Sequence, residues 1–311
     1  MILVERDYML MDVFTRTPFG GSRLTLFPDG AGLESSVMQT IAGEMGTPET
    51  AFVIGAEPPC SQARLRIFTP SAEVPLSGLS VVGATGALDS RGLVVRNGSE
   101  TTFTWQTETG FHPVAIKAEN GDTLYSMAHE PADFIGQYYQ RGKVARALGL
   151  SEQDIAITGM PCEIVSAGLP IHIVPLALLE TVRRIKPSPA GAGEIAKDLG
   201  FGDLFVFTCE TVSENVDVHC RMFASSFGIP EDAATGSAVG ALIAYMIKHR
   251  LVPAGKQARI VCEQGLEMGR PSRLFVDADV ESGKAVSIRV GGHCVHIGDG
   301  RISFDPDLMF K

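Results

Sequence analysis

Two acidic residues precede a small polar step in the C-terminal part of the chain. The stretch runs Glu231-Asp232, two alanines, and then Thr235-Gly236-Ser237. From Ser237 onward the residues are small and apolar with good helix propensity, which predicts a helix that begins there. The unpaired backbone N–H groups of a first helical turn, together with the helix dipole, favour negative charge. The stretch therefore predicts an anion-binding helix start, where Gly236 permits close backbone approach and Asp232 acts as an acid or base.

A plainer interpretation of the same stretch is structural. Thr235 or Ser237 could cap a buried helix, and Asp232 could stabilise its start. For one isolated Thr-Gly-Ser step, capping is the more common role. A second, similar stretch earlier in the chain shifts the balance towards an anion site.

The earlier stretch has the same order of predicted elements. Residues 66–68 (RIF) predict a strand, a proline-containing loop follows, and residues 78–80 (GLS) begin a helix of small residues. The later stretch has residues 221–223 (RMF), its own proline-containing loop, and then Gly236. Such self-similarity predicts two halves with one topology. If the halves pack face to face, two helix N-termini would converge on a carboxylate and on the carbanion or enolate made from it.

Acidic residues flank the expected cleft from both halves. Glu49 precedes the predicted strand at residues 51–54, and Asp232 lies in the later loop. A proton beside a carbonyl is too weakly acidic to leave without oxyanion-type stabilisation and a positioned base. The residues therefore favour carbon-acid proton transfer as the reaction class.

Composition argues against several other classes of protein. The chain has 311 residues, is 45% hydrophobic and has a mean hydropathy of +0.15, which suits two domains or one large one. Its net charge of −10, without a basic run, argues against nucleic acid or an anionic membrane as partner. No stretch approaches the roughly 20 apolar residues of a membrane span. Without a cleavable signal in its first residues, the chain is expected to be cytoplasmic.

Motifs for metal, redox or hydrolase chemistry are also missing from the sequence. There is no GxSxG elbow and no dinucleotide fingerprint, and the six cysteines lack the spacing of a zinc site. The seven histidines show no triad or metal spacing. All of them are expected to be structural, with His219 a mild exception because it lies close to the strand at residues 221–223.

Six stretches of the chain resemble the PhzF-like proteins, a family related in fold to diaminopimelate epimerase. They are residues 11–29, 38–53, 64–88, 166–176, 221–246 and 263–276, in the family's order. The resemblance implies an α/β (α+β) fold of two similar halves, each a mixed sheet wrapped around a central helix. The N-terminal half is expected at residues 1–125, with 300–311 as a segment that could return to it. The C-terminal half is expected at residues 126–299, with the active site in the cleft between the two.

The resemblance also implies an activity. The type member of the family isomerises 2,3-dihydro-3-hydroxyanthranilate, moving a proton from carbon to carbon without metal or organic cofactor, and homodimers are common. This chain is therefore expected to be a cofactor-independent isomerase or epimerase of a small carboxylate-bearing substrate, and a homodimer.

The family's functional residues transfer motif by motif. Its catalytic positions fall on three residues of this chain: Glu49, Asp232 and Ser237. Its substrate-binding positions fall on the first turns of the two predicted helices: Gly78, Leu79, Ser80 and Gly236. The role of general acid and base goes to Glu49. Diaminopimelate epimerase-like enzymes that use two cysteines would need them at Leu79 and Ser237, so that mechanism is not expected.

One position departs from the family pattern and keeps a second function open. Where the family has Gly-His-Pro-Thr, this chain has Gly-Leu-Ser-Val, so Leu79 replaces the histidine. A leucine side chain cannot transfer a proton, although its backbone N–H can still contact an anion. A non-catalytic ligand-binding protein of the same fold is therefore the alternative. The presence of both acids, Glu49 and Asp232, favours the isomerase over this alternative.

Overall fold

The chain divides into two compact units. A computed structural model describes residues 3–55, 61–119, 121–224, 229–253 and 255–305. The first unit consists of Met1–Ala128 and Gly291–Lys311, and the second of His129–Val290. Both units are mixtures of strands and helices.

The strands and helices have the following bounds, numbered in chain order. The strands are β1 Val4–Val13, β2 Ser22–Phe27, β3 Glu49–Ile54, β4 Ala63–Phe68, β5 Glu73–Val74, β6 Glu100–Thr107, β7 Gly110–Glu119, β8 Asp122–His129, β9 Asp133–Gln137, β10 Glu163–Ser166, β11 Pro170–Pro175, β12 Leu204–Thr208, β13 Val218–Ala224, β14 Ile229–Asp232, β15 Gln257–Gln264, β16 Ser272–Glu281, β17 Lys284–Gly292 and β18 Cys294–Phe304. The helices are α1 Ser35–Met45, α2 Gly78–Ser90, α3 Arg141–Leu148, α4 Glu152–Ala156, α5 Leu179–Arg183, α6 Pro189–Leu199 and α7 Gly236–Lys248.

In the first unit a mixed sheet surrounds α2. Strand β1 pairs antiparallel with β18 and β2, β2 pairs parallel with β3, and β3 pairs antiparallel with β4. Strand β4 then pairs antiparallel with the short β5 and parallel with β6, and β6, β7 and β8 follow as antiparallel neighbours. Helix α2 contacts β1, β2, β3, β7 and β18, so it is the central helix of this unit.

In the second unit the same pairing pattern surrounds α7. Strand β10 pairs antiparallel with β9 and β11, β11 pairs parallel with β12, and β12 pairs antiparallel with β13. Strand β13 then pairs antiparallel with the short β14 and parallel with β15, which pairs antiparallel with β16. Helix α7 contacts β10, β11, β15 and β16. The predicted fold class, two similar halves that each wrap a mixed sheet around a central helix, is therefore confirmed.

Small residues let the sheet approach α2 closely. The helix is buried from Leu79 to Leu88. A Cβ atom added at Gly83 would lie 2.7 Å from the side chains of both Val13 and Leu24, so only glycine fits there without movement of the sheet. Apolar burial all round is what a helix inside a sheet requires.

Two of the pattern-based boundaries are wrong, and glycine explains both. The proline- and glycine-rich residues 186–193 predict a surface connection, but α6 begins at Pro189 and Ser188 caps it by accepting from the Gly191 backbone N–H. Gly191 is needed for packing, because a Cβ there would lie 2.6 Å from the Cα of Ala147 in α3. The Gly-Asp-Gly sequence of residues 298–300 predicts a turn, but β18 continues through these residues, and Gly300 makes room for the Tyr8 ring.

The structure also bears on membrane association and on the cysteines. No helix among the described residues combines the length and apolar character that crossing a membrane requires.

Cys162, Cys220 and Cys262 are buried free thiols, whereas Cys209 is exposed. Cys60 lies outside the described residues, as does Gly228, which together with Pro230 predicts a turn after β13.

Candidate active site

Glu49 is the first residue of β3 in the first unit. Strand β3 runs parallel to β2, with Glu49 opposite Leu24. The hydroxyl of Thr47 donates to the Glu49 carbonyl oxygen over 2.9 Å and contacts the hydroxyls of Thr25 and Thr50 at 2.9 and 3.2 Å. These threonines are buried. They fix the backbone from which the half-buried Glu49 side chain projects.

A serine in the first turn of α2 holds the Glu49 carboxylate. The Oγ of Ser80 donates to Glu49 Oε2 over 2.6 Å, and Ser80 is 0% exposed. A hydrogen bond to a carboxylate at this distance is charge-assisted and fixes the rotamer of the acid. The candidate base Glu49 and the candidate substrate-binding residue Ser80 are therefore brought together.

The N-terminus of α2 keeps its first backbone N–H groups without a side-chain cap. Ser77 occupies the N-cap position, but within the described residues its side chain makes no capping hydrogen bond. The first N–H bonded within the helix is that of Val81, which donates to the Ser77 carbonyl. The N–H groups of residues 78–80 precede it and point outward from the helix start. Leu79 is 7% exposed, so its side chain is buried beside this turn.

The N-terminus of α7 in the second unit has the same form. The helix begins at Gly236, one residue before the predicted start, and Thr235 is its N-cap. Neither predicted cap operates: the Thr235 hydroxyl donates instead to Asp232 Oδ2 over 2.6 Å, and Ser237 is already the second helical residue. The side-chain cap expected from Thr235 or Ser237 is therefore absent, whereas Asp232 does brace the helix start, accepting from the Thr235 hydroxyl and from the Ala234 backbone N–H. By contrast, α4 and α6 are capped by the side chains of Ser151 and Ser188.

Asp232 is the acid beside this second helix start. Burial of its carboxyl raises the pKa of Asp232 above its usual range, although hydrogen bonds from Thr235 and from the backbones of Ala234 and Ala233 act in the opposite direction. A carboxyl group with a raised pKa keeps its proton to higher pH than an exposed aspartate. Asp232 is thus suited to donate a proton or a hydrogen bond at this site.

A family model for a phenazine biosynthesis-like protein matches residues 11–300 of this chain. The chain belongs to this family. An uncharacterized isomerase of Mesorhizobium japonicum is 34% identical over 302 residues, which cover 96% of this chain and 98% of the relative. The crystal structure of the PhzF-family phenazine biosynthesis protein of Bacillus anthracis is similar with a TM-score of 0.88 and 30% identity, covering 96% of this chain and 99% of that one.

A further relative carries a named reaction. The trans-2,3-dihydro-3-hydroxyanthranilate isomerase of Pseudomonas aeruginosa is 29% identical over 298 residues, covering 94% of this chain and 98% of the relative. The predicted family is confirmed, and so is the expectation that this PhzF-family chain is an isomerase. The relatives do not favour the non-catalytic alternative.

Gln264 supports the loop before α7, a role that sequence reasoning missed. Its side-chain amide donates to the Asp232 carbonyl over 2.7 Å and contacts the Thr235 hydroxyl at 3.0 Å, while its oxygen accepts from the Thr235 N–H at 3.2 Å. Gln264 is 0% exposed. It ends β15 within a stretch that carries the family resemblance, and that position was the available signal.

His129 was also missed, because all histidines except His219 were expected to be purely structural. It ends β8, and its Nε2 lies 3.9 Å from the position that a Cβ on Gly236 would occupy. Nothing in the sequence near His129 indicates this proximity.

His219, the mild exception, has a structural role. Its ring nitrogens contact Glu263 at 2.9 Å and Glu267 at 3.1 Å, and the residue is 0% exposed. Burial alone would lower the pKa of His219, but the hydrogen bonds to Glu263 and Glu267 raise it to about 9. The resulting ion network fixes the end of β15, next to Gln264.

Proposed function

We propose that this chain is a cofactor-independent isomerase or epimerase that moves a proton between carbons of a small carboxylate-bearing substrate. The observation that carries the proposal is the Ser80–Glu49 hydrogen bond beside the uncapped first turn of α2. A positioned carboxylate next to unpaired backbone N–H groups combines a base with stabilisation of the negative charge that its action creates.

In the proposed reaction Glu49 accepts a proton from a substrate carbon. The electron pair of the broken C–H bond delocalises into an enolate, whose charge the backbone N–H groups of the two helix starts stabilise. The proton then returns to carbon, at another position for an isomerase or on the opposite face for an epimerase. Asp232, whose pKa burial raises, either hydrogen-bonds the intermediate or donates its own proton to carbon. In the second case Glu49 releases its proton to solvent and Asp232 takes one up before the next turnover.

Each helix start contributes backbone groups rather than a second basic side chain. Gly78 and Leu79 would contact the substrate through their N–H groups, with Ser80 between the helix and Glu49. At α7 the corresponding donors are the N–H groups of Gly236 and Ser237. The hydroxyl of Ser237 is the third proposed catalytic group, as a hydrogen-bond donor to the substrate.

Solvent deuterium exchange tests the assignment of Glu49. In D₂O the wild-type protein should incorporate deuterium at a carbon of its substrate, in a panel that starts with the compound named for the Pseudomonas relative, trans-2,3-dihydro-3-hydroxyanthranilate. Glu49→Gln should slow exchange by about 10²- to 10⁴-fold, the contribution expected of a general base. Mass spectrometry and NMR measure the label.

Glu44→Gln is the matched control, since Glu44 is an exposed acid five residues earlier in the chain. It should exchange as the wild type does. Equal exchange by Glu49→Gln and the wild type would remove Glu49 from the mechanism. Wild-type protein that exchanges no carboxylate of the panel would instead favour a ligand-binding role. The homodimer expected from the family resemblance stays a prediction.

A further inference from the structure

One imidazole nitrogen at the start of α7 is buried without a protein partner. The Nε2 atom of His129 has no hydrogen-bond partner among the described residues. The closest neighbours of a Cβ added at Gly236 would be Val290 Cγ1 at 3.8 Å and His129 Nε2 at 3.9 Å. No contact of the protein therefore requires glycine at residue 236, and the buried Nε2 lies within van der Waals distance of the place where a side chain at residue 236 would begin.

The other ring nitrogen defines what Nε2 presents. The His129 ring forms a hydrogen bond with the backbone of Ala167 that favours the charged form of the ring, which is the effect of a carbonyl acceptor. Because Nε2 has no partner among the described residues, the other nitrogen, Nδ1, makes this bond. Burial lowers the pKa of His129, so the ring is neutral at neutral pH. A neutral imidazole that donates through one nitrogen accepts through the other. Nε2 therefore presents a lone pair.

A buried acceptor without a donor is energetically costly. Its desolvation on folding is not compensated by a hydrogen bond. Because the protein provides no partner within the described residues, a ligand with a donor at this place would recover that energy. The site thus combines backbone donors, from the first turn of α7, with one side-chain acceptor.

We propose that His129 contacts the substrate through Nε2, accepting a hydrogen bond from a hydroxyl or amino group adjacent to the carboxylate that α7 binds. The proposal rests on the proposed function, because it assumes that the first turn of α7 binds the substrate carboxylate. A carboxylate oxygen itself cannot satisfy Nε2, since two acceptors repel each other. His129 is accordingly a specificity-determining residue that favours hydroxy- and amino-substituted carboxylates over unsubstituted ones.

Two probes that differ in a single hydroxyl group test this role. Binding of lactate and of propionate is measured from the amide chemical shifts of Gly236 and Ser237 in ¹⁵N-labelled protein. The wild type should bind lactate about tenfold more tightly, as one hydrogen bond to a buried acceptor predicts. His129→Phe keeps an aromatic ring but removes the acceptor, and should lose this preference while its affinity for propionate stays unchanged.

His172→Phe is the matched control. His172 is a fully buried histidine of the second unit, with both ring nitrogens unpartnered among the described residues and its ring edge-on to Tyr138 at 5.0 Å. It should keep the wild-type preference for lactate. If His129→Phe does not fold, the unaltered protein still gives an answer: the ¹⁵N shift of His129 Nε2 should move with lactate and stay in place with propionate.

The outcomes separate the two proposals. If both probes shift Gly236 and Ser237 but the wild type does not prefer lactate, or if His129→Phe keeps the preference, His129 is not a substrate contact and the proposed function stands. If neither probe shifts these amides, α7 does not bind carboxylates and both proposals lose their support at this site. Neither assay depends on turnover, so a failure of Glu49 as base leaves the test of His129 intact.

Discussion

The two units share one frame around their central helices. In the first, Arg66 forms a bidentate ion pair, at 2.8 and 2.7 Å, with Glu73, which is five residues before the start of α2. In the second, the Nε and Nη2 atoms of Arg221 each lie 2.8 Å from a carboxylate oxygen of Glu231, which is five residues before the start of α7. Each arginine also lies over the phenylalanine two residues further along its strand. The repeat thus extends from strand order to single ion pairs.

The acids, however, come from different places in the two frames. In the first unit the carboxylate is Glu49, from β3, and a helix residue, Ser80, binds it. In the second unit it is Asp232, the last residue of β14, four residues before Gly236, where the first unit has Val74. The frame therefore duplicates the backbone donors of an uncapped helix start, whereas each unit supplies its own side-chain chemistry. The proposed function makes use of this difference, because it assigns the role of base to Glu49 and that of acid to Asp232.

Breaking the arginine–glutamate ion pair in each unit should show that the two pairs contribute unequally to the free energy of unfolding. The side chains of Arg221 and Glu231 are 6% and 14% exposed, and those of Arg66 and Glu73 are 20% and 35% exposed. Removing one partner of a buried pair costs about 3–5 kcal/mol, whereas an exposed pair contributes about 0–1 kcal/mol. Arg221→Met should therefore lower the free energy of unfolding by several kcal/mol and Arg66→Met by about 1 kcal/mol. Urea unfolding measures both, and equal losses would contradict the ranking.

High pH should weaken the second unit more than the first. His219 has an unfolded-state pKa of about 6.5 and a folded-state pKa raised to about 9. Its contribution is fully present below pH 6.5 and is lost as the pH rises through 9, about 3 kcal/mol in total. The equivalent position in the first unit, two residues before Arg66, is Arg64 rather than a histidine.

The measurement is the free energy of unfolding between pH 6.5 and pH 9.5. The wild type should lose stability over this range, and His219→Gln should lose much less because the titrating group is gone. Hydrogen exchange should locate the change at β13, β15 and the loop before α7, which Gln264 holds. A loss spread evenly over both units would contradict this assignment.

Local patterns predicted the frame well because the frame is built from local signals. The helix starts at Gly78 and Gly236, within one residue of the expected positions, follow from apolar runs after small polar steps. The absence of a side-chain cap on α7 could not be predicted. A threonine hydroxyl can accept from a backbone N–H of the first helical turn or donate to a nearby acceptor, and the fold places Asp232 within its reach. Gly300 was misjudged for a related reason: glycine marks a turn or a close contact equally well, and only the position of Tyr8 decides.

The candidate site was predictable only where its residues lie in one matched motif. The sequence predicted Glu49 and Ser80 as separate site residues, and their hydrogen bond depends on β3 and α2 meeting in the folded unit. His129 comes from the end of β8, far from Gly236 in sequence, and no spacing rule connects the two. Gln264 likewise acts through the pairing of β13 with β15. Contacts between segments that are distant in the sequence cannot be predicted from local sequence patterns.

The smallest expected effect comes from making the first turn of α2 resemble that of α7. The third residue of α2 is Ser80, whereas the third residue of α7 is Ala238. Ser80→Ala frees the Glu49 carboxylate from its fixed rotamer, so exchange should slow about tenfold, the equivalent of about 1.4 kcal/mol for one lost hydrogen bond to a charged group. Ser90→Ala, at the other end of the same helix, removes only a hydrogen bond to the Ala87 carbonyl and should leave exchange unchanged. Equal exchange by Ser80→Ala and the wild type would mean that β3 and its threonines alone position Glu49.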